Sequence, residues 1–159
     1  MRIATSEGLL TWTYVLRDSR SGPALATVDL KSLKSSGTVT VEDVVYGFEQ
    51  TDFWGKKVVF TFEGVELAKA VRTSSWSAKT TVAFAPGGFS GPDLRLIPLG
   101  AFQVGFHVEE DGGERIGRIE RKGFLKTSFQ LRLPESVPLA VQGFLTAIAL
   151  IDLRRRQSS

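Results

Sequence analysis

Val137-Pro-Leu-Ala-Val-Gln-Gly-Phe-Leu-Thr-Ala-Ile-Ala-Leu-Ile-Asp-Leu153, followed at once by Arg154, Arg155 and Arg156, is the stretch on which the fold turns. Pro138 suits the first turn of a helix, where its missing N–H would be unpaired anyway, and Glu135 and Ser136 just before it favour a helix N-terminus. From Leu139 onward apolar side chains cover every side, with Gln142, Thr146 and Asp152 the exceptions. A helix apolar all round must be buried in protein or in lipid. Leu139 to Leu153 would span about 22 Å at ~1.5 Å per residue, against a bilayer core of ~30 Å. Gln142 would add a cost in lipid, and no Trp or Tyr belt flanks the end of the segment. Length therefore favours a buried central helix over residues 137–155. The alternative is a tail-anchored membrane protein that uses this segment as its anchor. The three arginines complement the helix macrodipole and place their charges in water.

What precedes this stretch reads as strands. Leu10, Trp12, Tyr14 and Leu16 fall on one face; Val58, Phe60 and Phe62 repeat the two-residue period, as do Phe102, Val104, Phe106 and Val108. Further candidates near residues 24–30, 38–41, 43–49, 66–73, 79–85, 93–97, 114–121 and 127–133 bring the count to about eleven. Turn chemistry separates them at Ser21-Gly-Pro, Pro86-Gly-Gly, Ser90-Gly-Pro and Asp111-Gly-Gly. So many strands enclose more space than an eight-stranded barrel, which side chains alone can fill, and a helix of ~10 Å diameter is a natural filler.

A faint repeat runs through the strands. Leu25-Ala-Thr-Val28, Leu67-Ala-Lys-Ala70 and Ile116-Gly-Arg-Ile119 each carry a small residue early in a strand, and the next strand opens near Thr38, Thr80 and Thr127. This spacing predicts three similar three-stranded pieces. The small residues either face a wide interior or mark bulges and close strand contacts.

At 159 residues the chain is about one domain, and 42% apolar with 23% charged residues excludes disordered, collagenous and multispan membrane classes. The absence of cysteine, and of a continuous apolar run near the N-terminus, leads us to expect a cytoplasmic protein. Net charge is +3, and three positive charges sit together at residues 154–156, so no nucleic-acid surface is expected.

The inventory of reactive groups is sparse. His107 is the only histidine, and the strand period places it on the outer face. With no cysteine, the usual zinc sets and a Ser-His-Asp triad are not expected, nor is any other catalytic group, metal or cofactor. Glu109, Glu110, Asp111 and Glu114 read as a solvated hairpin tip, and Pro86-Gly-Gly-Phe-Ser-Gly-Pro92 as a mobile loop. What remains is basic charge after successive strands: Lys31 and Lys34, then Arg72 and Lys79, then Arg118, Arg121, Lys122 and Lys126. Gathered at one rim, these residues would attract an anionic lipid headgroup; dispersed, they are ordinary solvated surface.

Ile116-Gly-Arg-Ile-Glu-Arg-Lys-Gly, Phe129-Gln-Leu-Arg-Leu-Pro and the apolar stretch with its Leu-Ile-Asp ending resemble the end of the tubby C-terminal-like superfamily, which includes phospholipid scramblases and LURP-one-related proteins. Leu67-Ala-Lys-Ala-Val-Arg and Val44-Val-Tyr-Gly-Phe extend the resemblance over most of the chain. It implies a mainly β fold: a closed antiparallel barrel of about twelve strands enclosing a hydrophobic C-terminal helix, as one domain over residues 1–159. It also implies a non-enzymatic binding or scaffold module, with an anionic phospholipid surface or a protein as partner. Calcium dependence is not carried over, since Pro134-Glu-Ser-Val-Pro138 has one carboxylate where a calcium loop needs several oxygen ligands.

Overall fold

Side chains that alternate between interior and solvent organise the chain into twelve strands followed by one helix. The strands are β1 (Arg2–Ser6), β2 (Thr13–Arg17), β3 (Ala26–Leu30), β4 (Ser36–Val41), β5 (Val44–Gln50), β6 (Lys57–Phe62), β7 (Val65–Arg72), β8 (Thr80–Phe84), β9 (Leu94–Pro98), β10 (Gly105–Glu110), β11 (Arg115–Lys122) and β12 (Ser128–Arg132). The helix is α1 (Leu139–Gln157). This computed structural model describes residues 1–7, 12–31, 35–52, 56–73, 79–123 and 128–157. Each strand pairs antiparallel with its neighbour in sequence, and β1 pairs with β12, Ala4 opposite Phe129, which closes the sheet into a barrel. Closure leaves no free strand edge.

The inward residues of the wall, among them Leu16, Val28, Val39, Phe60, Val82, Leu96, Val108, Ile119 and Leu131, form one core with α1. Along the helix, Ala140 to Ala147 and then Ala149, Leu150, Ile151 and Leu153 are buried. Phe144 stacks on Phe60 with ring centroids 4.7 Å apart. The two fully buried polar residues among the described residues have partners, as burial demands. Gln142 accepts a bond from Arg2 Nη1 at 3.0 Å and donates from Nε2 to the Val137 carbonyl at 2.9 Å, while Thr146 Oγ1 donates to the Gln142 carbonyl at 2.8 Å. The segment that posed the choice between protein and lipid is therefore surrounded by barrel wall. No helix among the described residues is long and apolar enough to cross a membrane.

Helix and wall approach closely where β4 passes Gly143. A Cβ there would lie 2.4 Å from Val39 Cγ1. We expect Gly143→Ala to destabilise the protein by about 1–3 kcal/mol through overpacking, although alanine is the better helix former by ~1 kcal/mol. In a denaturant-unfolding cycle, adding Val39→Ala should recover part of that loss. Strictly additive losses would show that no steric contact links the two sites.

The structure corrects several expectations. The strand absent from the sequence count is β1: Arg-Ile-Ala-Thr-Ser offers the interior only the small Ala4, with Arg2 reaching to Gln142, so it shows no apolar alternation. Phe102 is not the first inward residue of a strand. Strand β10 begins at Gly105, whose φ of 131° breaks the run, and Phe102 is fully exposed. The small residues divide between their two readings. Ala26, Ala68 and Ala70 are buried in the core, whereas a Cβ on Gly117 would sit 1.9 Å from the Arg132 carbonyl oxygen, so Gly117 marks a close strand contact beside a bulge in the β10–β11 pairing.

The repeat is also longer than expected. Ala26, Ala68 and Gly117 lie on β3, β7 and β11, with Thr38 near the start of β4 and Thr80 opening β8, so its period is four strands rather than three; Thr127 lies outside the described residues. Within the otherwise exposed glycine-rich stretch at 86–92, the Phe89 ring packs inward, 6.2 Å from Phe60, 6.3 Å from Tyr46 and 6.4 Å from Phe84.

Candidate functional site

The last turn of α1 emerges at one end of the barrel and is tied to its rim. Arg154 donates to the Lys31 carbonyl and lies over the Trp12 ring, 5.7 Å from its centroid, a cation–π geometry. Arg155 Nη2 donates to Gln50 Oε1 at 2.8 Å, and Arg156 Nη1 to the Ala101 carbonyl at 3.2 Å. Arg156 Nε also bonds the Asp152 carboxylate at 3.1 Å, one helical turn back. The final helical turn thus holds the ends of β3 and β5 and the β9–β10 connection.

Arg72, the last residue of β7, joins this group. With Ala101, Asp152, Arg155 and Arg156 it lines an open depression of about 460 Å³. Adjoining it is a narrower cavity of about 70 Å³ that shares Arg72, Asp152, Arg155 and Arg156, is lined also by Lys56, and has Val58, Ala70, Leu96, Phe106, Ile148 and Ile151 as apolar walls. Four cations and one carboxylate, Asp152, line this cavity, and Asp152 is already bonded to Arg156; a second carboxylate, Asp52, acts on Arg155 from outside the lining. The electrostatic cost is visible at Arg155: partial burial, then the neighbouring Arg72 guanidinium, pull its pKa below the usual arginine value, opposed by Asp152 and Asp52. An anion entering the depression would relieve this crowding.

The basic residues singled out in the sequence fall into separate groups. Arg72 is in the cluster. Lys79 is exposed on the adjoining strand start, its carbonyl accepting the Thr73 N–H at 2.8 Å, which places it at the same end. Arg121 pairs across the sheet with buried Phe129, so it sits on the interior side of β11 towards this end. Arg118 and Lys122 point outward, and Glu120 engages both, at 3.1 Å and 3.4 Å; neither belongs to the cluster. Lys34 and Lys126 lie outside the described residues. Sequence reasoning missed Lys56, Arg155 and Arg156 as site residues. The Arg154–Arg156 run carries the signal, but by itself it reads as helix-end chemistry, because nothing local to it reveals that Arg72 arrives from a distant strand.

His107 faces outward between buried Phe106 and Val108. Partial burial, with Arg115 and Arg118 nearby, lowers its pKa below the ordinary 6.5. In the acidic turn Glu109 is paired with Arg115 at 3.5 Å. Among the described residues, no group of three or more His, Asp or Glu side chains is placed to hold a metal ion. Comparison of the chain with protein-family models, curated proteins and solved structures found no match.

Proposed function

We propose that this protein is a non-enzymatic binding module of the tubby-like kind that recognises anionic phospholipid headgroups through the basic depression at the C-terminal end of α1. The observation that carries the reading is the convergence of Arg72, Arg155 and Arg156 on the open depression, with Lys56 on the cavity that adjoins it, where the one lining carboxylate, Asp152, is already bonded to Arg156. Arginine forks bind phosphate oxygens in pairs, and juxtamembrane cations contribute about 1 kcal/mol each at an anionic surface. The closed barrel with its enclosed helix accords with the family resemblance.

Vesicle co-sedimentation tests this. Binding to vesicles containing phosphatidylserine or phosphoinositide should exceed binding to phosphatidylcholine alone and should fall as salt is raised. Arg72→Gln should weaken it about fivefold, the equivalent of ~1 kcal/mol, and Arg72→Gln with Lys79→Gln should weaken it further. Equal and negligible binding to all vesicles at low salt would remove the lipid reading and leave a protein partner as the reading to test.

A further inference from the structure

We infer that the barrel docks end-on, with the C-terminal end of α1 towards the bilayer, and that Phe102 is the side chain that enters the lipid interface. This rests on the anionic-lipid reading above and adds an orientation and an apolar anchor to it.

Phe102 has a relative exposure of 101%, the highest of the exposed large apolar residues. One solvent-facing phenylalanine is unremarkable by itself; its position gives this one meaning. It follows Ala101, which lines the basic depression with Arg72, Asp152, Arg155 and Arg156 and whose carbonyl accepts the Arg156 guanidinium at 3.2 Å. The ring therefore projects from a segment bonded to the last turn of the helix, beside the cations. Cations beside an exposed aromatic are the chemistry of peripheral attachment: charge draws the protein to the surface, and the apolar group leaves water on arrival.

The opposite end supplies the contrast. Val44, Val45, Phe62 and Val65 are exposed there, but on hairpins whose tips carry Glu42, Asp43 and Glu63, with Glu66 beside them at the start of β7, carboxylates that an anionic surface repels. Both ends expose apolar groups, and charge selects between them. In sequence, the stretches between β5 and β6, β7 and β8, and β11 and β12 also contain Phe53, Trp54, Trp76 and Phe124, which lie outside the described residues.

The test compares full-length wild type, Phe102→Ala, Phe102→Trp and Val45→Ser on vesicles of phosphatidylcholine mixed with phosphatidylserine, with inorganic phosphate as a soluble probe. Phe102→Ala should partition about tenfold more weakly, the order expected for keeping one aromatic side chain in water. It should leave phosphate binding unchanged, because Phe102 is outside the arginine cluster. Phe102→Trp should restore partitioning, and Val45→Ser should have no effect. If wild type binds the vesicles and Phe102→Ala binds equally well, the anchor is overturned while the headgroup reading stands. If Val45→Ser weakens binding instead, the orientation is overturned. If wild type fails to bind, the headgroup reading falls and the anchor with it.

Discussion

Removal of residues 137–159 should abolish folding rather than release a soluble barrel. The truncated chain would lose Val141, Phe144, Leu145, Leu150, Ile151 and Leu153 from the centre of the core, together with the Gln142 amide that Arg2 bonds. At ~1.5–3 kcal/mol for each large side chain buried, six of them contribute about 9–18 kcal/mol, as much as or more than the ~5–15 kcal/mol by which a domain is stable. The wall cannot collapse to compensate, because every strand is bonded to two neighbours in a closed ring. The expected result is a chain without dispersed amide resonances or a cooperative thermal transition. A truncated protein that melts cooperatively with native-like dispersion would show that the strands stand without the helix and would reopen the reading of the segment as an appendage.

Ala147→Asp should be nearly as damaging, and Ile148→Asp much less so. Ala147 is fully buried, so a carboxylate there would be desolvated with no partner, at a cost of several kcal/mol. From the sequence alone the neighbouring position looks equivalent. In the structure Ile148 is half-buried and lines a cavity that Lys56, Arg72, Arg155 and Arg156 also line, so an aspartate at 148 has cations in the same pocket. We expect Ala147→Asp to be unfolded or insoluble and Ile148→Asp to remain folded with reduced stability, as read by urea denaturation. The Ile148→Asp carboxylate should also lower binding to anionic vesicles by occupying the cationic opening. Equal damage at both positions would mean that the cations do not reach into the cavity.

Much of the architecture was legible because it rests on periodicities that single residues report. The two-residue alternation of Val58, Phe60 and Phe62 and the all-round apolarity of Leu139 to Leu153 are local, and together they implied a container and its filler. Strand β1 was not legible, since its interior neighbour is small and its longest inward side chain is the polar Arg2. Phe102 was misplaced because apolar alternation continues through it, and only the backbone turn at Gly105 separates it from the strand. The basic site was half visible. Arg72 and Lys79 stood out as charges after a strand, but Arg118 and Lys122 stood out equally, and their pairing with Glu120 along the outer face of β11 sets them apart. The site is an encounter between β7 and the end of α1, and no local pattern encodes the distance between elements so far apart in sequence.

The order of the elements along the chain also governs the order in which the protein can be made. All but one of the sheet's seams join neighbouring strands, whereas the β1–β12 seam joins the two extremes of the sheet, and the helix that fills the interior follows every strand. During synthesis the apolar faces of the emerging hairpins have nothing to cover them until the final helical segment has left the ribosome. The ring cannot shut usefully before then, since a closed empty wall would have to admit the helix afterwards. The nascent chain therefore carries exposed apolar surface from its first hairpins until α1 emerges, the condition in which chaperones bind and aggregation begins.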